Sequence, residues 1–140
     1  MTGSKKIMVF GTFDGLHEGH LNFFRQARKL VANPFLIVSV ARDKNVMRIK
    51  GNLPLLPDKK RSALIRKSKL IDKVVMSGIR DHLPHIIKEK PDIIALGYDQ
   101  KHYVTNLKKD LKSKGIMVKI VRLKSYKKEM YKNHLLKKKR

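Results

Sequence analysis

Two histidines stand close together in a glycine-containing stretch near the start of the chain. Residues 11–20 read GTFDGLHEGH, with His17 and His20 three positions apart. A short apolar run, residues 7–10, precedes this stretch, and a helical pattern begins at Glu18. Backbone N–H groups and the positive end of a helix dipole then face one point, which favours phosphate binding. Two imidazoles beside that point suit a phosphate whose charge increases in a transition state.

The same spacing admits other interpretations. Two histidines at i and i+3 can ligate a metal, although no third ligand of convincing type stands nearby, and they can also cap the helix or lie on the surface. Gly11 and Gly19 favour the phosphate interpretation, because they lack side chains where a ligand or backbone must come close. The position of the pair between a strand and a helix strengthens it. We therefore predict His17 and His20 as the catalytic groups.

The elements that must position this pair alternate along the chain. Short apolar runs typical of buried parallel strands lie at residues 7–10, 35–40, 74–76, 91–96 and 116–121. Helical patterns lie at residues 18–32, 58–69, from 81, near 106–114 and from about 131, whereas residues 42–57 look irregular and basic. The order predicts an α/β fold, a Rossmann-like open parallel sheet of about five strands with helices on both faces. Ligands bind such sheets at the carboxyl ends of the strands, at the topological switch point.

Length and charge restrict the class of protein. A chain of 140 residues predicts one domain, residues 1–140, and the formal net charge of +23 favours anionic partners such as nucleotides, phosphorylated metabolites or nucleic acid. The chain has no cysteine, which excludes a disulfide framework, a Cys-ligated metal and a catalytic thiol. The longest apolar stretch, residues 35–41, is too short to cross a bilayer. We expect a cytoplasmic protein with no membrane partner.

The stretch GTFDGLHEGH resembles the signature Gly-Thr-Phe-Asp-x-x-His-x-Gly-His of the nucleotidylyltransferase superfamily, which includes glycerol-3-phosphate cytidylyltransferase. Residues 40–43, 49–51, 91–101 and 121–126 resemble its archaeal FAD synthase (FMN adenylyltransferase) branch. The resemblance implies transfer of a nucleotidyl group to a phosphorylated acceptor with release of pyrophosphate, in the first place ATP and FMN giving FAD and diphosphate. One alternative is cytidylyl or adenylyl transfer to glycerol 3-phosphate or a sugar phosphate, for cell-surface polysaccharide or lipid precursors. Another is a non-catalytic protein that binds nucleotides or nucleic acid.

The resemblance also implies roles for residues. His17 and His20 would hold the phosphates and stabilise the pentavalent α-phosphorus, so that no covalent nucleophile is needed. The expected nucleotide-binding residues are Gly11, Thr12, Phe13, His17, Glu18, Gly19, His20, Gly97, Asp99 and Tyr126. Further candidates for phosphate contacts are Lys44, Lys50, Arg61, Asn133 and His134, the last two standing where the family usually has a Ser/Thr pair.

Three expectations concern partners outside the nucleotide itself. A divalent cation, most simply Mg²⁺, should arrive on the nucleotide phosphates rather than in a protein site, because only 11 acidic residues are spread over 140 positions. Related enzymes often dimerise, so a homodimer is expected. A basic C-terminal helix within residues 122–140 should contact nucleic acid only non-specifically.

Overall fold

The short apolar runs form the strands of one sheet. The computed structural model describes residues 4–77, 83–97 and 104–124. In these ranges the strands are β1 (Lys5–Gly11), β2 (Pro34–Val40), β3 (Lys73–Met76), β4 (Ile93–Leu96) and β5 (Lys119–Arg122). The helices are α1 (Glu18–Arg28), α2 (Asp43–Lys50), α3 (Asp58–Arg66), α4 (Leu83–Glu89) and α5 (Val104–Ser113).

All five strands are parallel, in the order β3-β2-β1-β4-β5. The chain starts at the centre, moves outward to β3, and then crosses back to place β4 on the other side of β1. The switch point therefore lies between the carboxyl ends of β1 and β4. The predicted α/β sheet of about five strands is confirmed.

Alternation along the central strands divides the core into two layers. Ile7 and Val9 of β1 pack in one apolar cluster with Phe24 of α1 and Ile65 of α3. The intervening β1 residues pack in the second cluster with Ile86 of α4 and with two leucines of α5. Helices thus cover both faces, which confirms the prediction and explains why these strands are continuously apolar.

The segment after β2 differs from the prediction. Residues 42–57 were expected to be irregular, but they contain α2, which begins after Arg42 and ends at Gly51 in the left-handed region (φ 79°). The helix forms because the buried Val46 anchors a short, mainly polar pattern to the fold. The first turn of α2 is held by contacts with residues that are distant in the sequence, which local helix propensity does not predict.

The start of β5 also differs from the prediction. The strand expected at residues 116–121 begins only at Lys119, because Ile116 first donates its N–H to the carbonyl of Leu111 and completes the end of α5. The start of α4 before Leu83 and the predicted basic C-terminal helix lie outside the described residues. Among the helices that the structure describes, none has both the length and the apolar character needed to span a bilayer.

Candidate active site

The signature stretch lies at the switch point. β1 ends at Gly11 and α1 begins at Glu18, so residues 12–17 form the loop at the carboxyl edge of the sheet. β1 pairs with β4 in the register Ile7 to Ile93, and continuing that register places Gly97 level with Gly11. The structure therefore brings Gly97 to the same edge as the loop, as predicted for a nucleotide contact. Asp99, Tyr126, Asn133 and His134 lie outside the described residues.

His17 and His20 form a capping box at the start of α1. His17 is the N-cap, and its Nδ1 accepts a hydrogen bond from the Gly19 N–H at 3.0 Å. The Nδ1 of His20 accepts from the His17 N–H at a longer 3.4 Å. An imidazole that accepts at Nδ1 carries its proton on Nε2 when neutral. The His17 ring thus combines the capping role with a remaining N–H donor, and the capping and phosphate interpretations are compatible.

The two imidazoles stack on each other, and burial keeps His20 neutral at physiological pH. Their ring centroids lie 3.8 Å apart with an angle of 25° between the planes. Burial lowers the pKa of His20 to about 4, the nearby His17 ring lowers this pKa further, and a backbone hydrogen bond with Gly15 opposes the shift. A neutral His20 ring can approach the neighbouring ring closely without charge repulsion.

Phe13 shapes the loop from inside the core. Its backbone has a positive φ of 54°, and its side chain is 5% exposed. The ring packs edge-on to His20 and against Phe24, with centroid distances of 5.3 and 5.4 Å. Only the backbone of Phe13 is therefore placed to contact a nucleotide, and the ring serves to support the His20 imidazole.

At two positions near the loop, an aromatic ring lies so close to the backbone that only glycine fits. A Cβ on Gly11 would lie 2.5 Å from the Phe13 ring, and a Cβ on Gly19 would lie 2.8 Å from Cε1 of His17. Such separations are below any normal carbon contact, so a larger residue would displace the ring. Both glycines thus act on the site by making room for the aromatic groups of the loop.

The remaining exposed candidates, two lysines and one glutamate, differ in whether they lie beside the signature loop. Lys50 at the end of α2 is exposed, and its Nζ lies 3.5 Å from Oγ1 of Thr12, so both side chains stand beside the loop. Lys44, on the first turn of α2, is exposed and has no described contact with the loop. Glu18 is also exposed, 4.0 Å from Arg25 along α1. Of these, Lys50 is the lysine that the fold brings to the signature.

Arg61 occupies an interior position instead of an open one. Its side chain is 0% exposed and donates to the carbonyls of Thr12 and Leu56 and to the carboxylate of Asp43. Arg61 was expected to contact phosphate, but in this structure its guanidinium lies inside the protein and is bonded to these three acceptors.

Sequence reasoning missed two acidic residues of this region. Asp14 accepts hydrogen bonds from the backbone N–H groups of Leu55 and Leu56 at 2.6 and 2.8 Å. The bond from Leu55 is the largest cause that holds the pKa of Asp14 below its ordinary value. Asp43 pairs with Arg61 at 2.7 Å and bridges the start of α2 to the start of α3. Asp14 belongs to the signature, and an acid retained there in so basic a chain was the available signal.

A metal site built from protein ligands is not found in the part of the chain that the structure describes. These ranges contain no group of three or more His, Cys, Asp or Glu side chains that could hold a metal ion. The arrangement at the loop consists of backbone N–H groups, two imidazoles and one lysine, which are groups that bind phosphate.

The comparison with family models defines the class of protein. The model described as cytidylyltransferase-like matches residues 8–137, and the chain belongs to this family. The predicted membership of the nucleotidylyltransferase superfamily, and with it the prediction of a nucleotidyltransferase, is confirmed.

The individual relatives of the chain include two FAD synthases and one solved structure. The chain is 41% identical over 120 residues to the FAD synthase of Korarchaeum cryptofilum, covering 85% of this chain and 81% of that protein. It is 39% identical over 121 residues to the FAD synthase of Thermoplasma volcanium, covering 86% and 83%. A solved structure described as the lipopolysaccharide core biosynthesis protein from Thermoplasma volcanium superposes with a TM-score of 0.82 at 39% identity, covering 89% of this chain and 99% of that one.

Proposed function

We propose that the protein transfers the adenylyl group of ATP to FMN, giving FAD and pyrophosphate. The observation that carries the proposal is the stacked His17–His20 pair at the start of α1, at the switch point of a sheet of this family. Support for FMN as acceptor comes from relatives near 40% identity that are named FAD synthase.

The chemistry follows from the groups at the loop. A phosphate oxygen of FMN attacks the α-phosphorus of ATP, a P–O bond to FMN forms, and the bond to pyrophosphate breaks. Backbone N–H groups at the start of α1 and the Nε2–H donors of His17 and His20 stabilise the added negative charge on the α-phosphoryl oxygens. Lys50 and Thr12 stand beside these donors and are proposed to hold the outer phosphates. Positioning and charge neutralisation then supply the rate acceleration.

A divalent cation, most simply Mg²⁺, is proposed to travel with the nucleotide. Magnesium keeps most of its water and phosphate ligands and needs few from a protein. When bound it would neutralise charge on the departing pyrophosphate. The donor set of the loop suits the nucleotide phosphates rather than the ion, so this chain's contribution is to bind and orient those phosphates.

A second acceptor is favoured by one finding. The superposed Thermoplasma volcanium structure is described as a lipopolysaccharide core biosynthesis protein, which agrees with transfer to glycerol 3-phosphate or a sugar phosphate. The test is a pyrophosphate-release assay that crosses ATP and CTP with FMN, glycerol 3-phosphate and sugar phosphates, with FAD followed by chromatography. We expect release with ATP and FMN above all other pairs. Release only with CTP or a sugar phosphate would move the function to the second acceptor class, and release with none would favour a non-catalytic binding protein.

Three further proposals concern the environment of the enzyme. We propose a cytoplasmic location, a homodimer, and contact with nucleic acid that is only non-specific. The high positive charge of the chain supports the last of these, because exposed lysines bind phosphate backbones without reading sequence. Sedimentation at several protein concentrations measures the dimer, and retention on duplex DNA from low to physiological salt measures the nucleic-acid contact.

A further inference from the structure

A charged side chain lies completely inside the protein next to the signature loop. Arg61 is 0% exposed, and it is the bulkiest of the fully buried side chains among the described residues. Its guanidinium stays charged at all accessible pH values. Burial of a charge is costly unless the charge is paired and its donors are satisfied. The fold therefore keeps Arg61 inside for the contacts that it makes there.

Those contacts join three separate segments. Nη1 donates to the carbonyl of Thr12 at 2.7 Å, and Nε donates to the carbonyl of Leu56 at 2.9 Å. Nη2 pairs with Oδ1 of Asp43 at 2.7 Å. The planar fork of arginine can span three acceptors in fixed directions, whereas a lysine ammonium cannot reproduce that geometry.

The carboxylate of Asp14 closes the arrangement into a ring. It accepts from the N–H groups of Leu55 and Leu56, so that Leu56 is held at its N–H by Asp14 and at its carbonyl by Arg61. We call Thr12, Asp14, Asp43, Leu56 and Arg61 the brace. The brace grips the signature loop at Thr12 and again at Asp14.

Phe13 lies between those two grips. Its φ of 54° is an unfavourable conformation for a residue with a side chain, and such conformations persist when the surroundings impose them. The Phe13 ring in turn supports His20, and His20 stacks on His17. The contacts thus run without a break from the buried guanidinium to the two imidazoles.

We infer that Arg61 is a positioning residue for nucleotidyl transfer, which acts through the brace on the signature loop and makes no contact with phosphate. The inference rests on the proposed function of His17 and His20. It assigns the positioning of the loop to the ion pair between the buried Arg61 of α3 and the partly exposed Asp43 of α2, which are elements outside the signature itself.

The kinetic test compares Arg61→Lys with Asp14→Asn, and Arg66→Lys serves as the matched control because Arg66 is exposed on the same helix. We expect Arg61→Lys to lower kcat by about 10²-fold, as small misplacements of reacting groups do, with KM for ATP changed by less than about threefold. Asp14→Asn should lower kcat in the same way by about tenfold, because an amide oxygen and its NH₂ cannot accept both backbone bonds. Arg66→Lys should match the wild type. A direct phosphate contact would instead raise KM for ATP in Arg61→Lys and leave Asp14→Asn near wild type, which would overturn the inference.

A second readout needs no activity. Amide hydrogen exchange of residues 12–17 should be faster by about tenfold or more in Arg61→Lys and Asp14→Asn, as expected when hydrogen bonds to a charged group are lost. Exchange in the middle of α1 should stay unchanged. If the wild type makes no FAD from ATP and FMN, the proposed function fails, and exchange alone still decides on the brace. If circular dichroism shows Arg61→Lys unfolded, Asp14→Asn decides, since Asp14 is exposed and outside the core. Wild-type exchange in the folded variants overturns the inference.

Discussion

The loop after β1 and the segment after β2 reach the same edge of the sheet, but they are organised differently. The first is ordered by contacts between near neighbours, such as His17 with Gly19 and Gly15 with Phe13. The second, residues 41–57, is held by contacts across long stretches of chain. Arg42 donates to the carbonyl of Ser77 at 2.6 Å, and the N–H of Asp43 meets the carboxylate of Asp58 at 3.2 Å.

The two regions have different roles: the loop after β1 carries the proposed chemistry, and the segment after β2 supports that loop. The near-neighbour loop carries the two imidazoles for which we propose phosphate binding. The long-range segment contributes Asp43, which pairs with the buried Arg61 of α3, and the N–H groups of Leu55 and Leu56, which bond the Asp14 carboxylate of the loop. In a chain with net charge +23, binding of an anion is thus assigned to a few directed donors, while the buried arginine stabilises the fold.

The largest effect should come from the imidazoles themselves. His20→Ala and His17→Ala should each lower turnover by about 10²-fold or more, in the range for loss of one transition-state donor. His17→Ala should also lower the free energy of unfolding by about 1 kcal/mol, because the N-cap is lost. His17→Asn is the matched variant, since asparagine keeps the cap and removes the ring. Steady-state turnover and urea unfolding measure the two effects, and wild-type turnover in both histidine variants would remove the proposed mechanism.

The lowered pKa of His20 predicts a pH-dependent stability. The pKa of His20 is about 4 in the folded protein and about 6.5 when unfolded, so between these values the unfolded state binds more protons. The contribution of His20 is complete above pH 6.5 and is lost as pH falls toward 4. With allowance for solvent around the partly exposed ring, the loss is about 2 kcal/mol. His20→Gln cannot titrate, and its unfolding free energy should fall less over this window. Equal slopes in the two proteins would contradict the assignment.

Gly19→Ala should separate stability from activity. Alanine favours a helix over glycine by about 1 kcal/mol, so α1 should not be weakened. The new Cβ would meet the His17 ring at 2.8 Å, and the ring must turn away. We expect turnover to fall by about tenfold with unchanged or higher melting temperature. Arg25→Ala, an exposed change on the same helix, is the control, and equal turnover in both variants would show that the ring position is unimportant.

The smallest effect belongs to the basic segment. Lys50→Ala should raise KM for ATP by about fivefold, as expected for one exposed charged contact worth about 1 kcal/mol, and leave kcat nearly unchanged. Lys44→Ala should change neither constant, because only Lys50 approaches Thr12. The difference should shrink when salt is raised, since exposed charges are screened. A loss of kcat in Lys50→Ala, or equal effects at both lysines, would contradict the different roles assigned to the two segments.

Prediction from sequence succeeded where the structure depends on residues that are close together in the chain. It failed where the structure depends on residues that are far apart in the chain. Short apolar runs and the strand-loop-helix signature were enough to place β1, β2, α1 and the histidine pair at the switch point. The helix α2 was missed, because its polar sequence has little propensity of its own and its first turn depends on Asp58 and Ser77. Arg61 was predicted as a phosphate contact and its burial was not foreseen, because one more arginine among 34 basic residues gives no sign that it is buried.

The sequence by itself determined the parallel α/β architecture, the family and the two imidazoles, because hydrophobic period and signature spacing act over a few residues. Only the tertiary structure decided the low pKa of His20, since this depends on the burial of its ring between Phe13 and the stacked His17 ring. It alone decided the role of Arg61, whose three acceptors lie up to 49 positions away in the chain. Contacts of that separation are set by the docking of whole helices, which no local pattern of residues encodes.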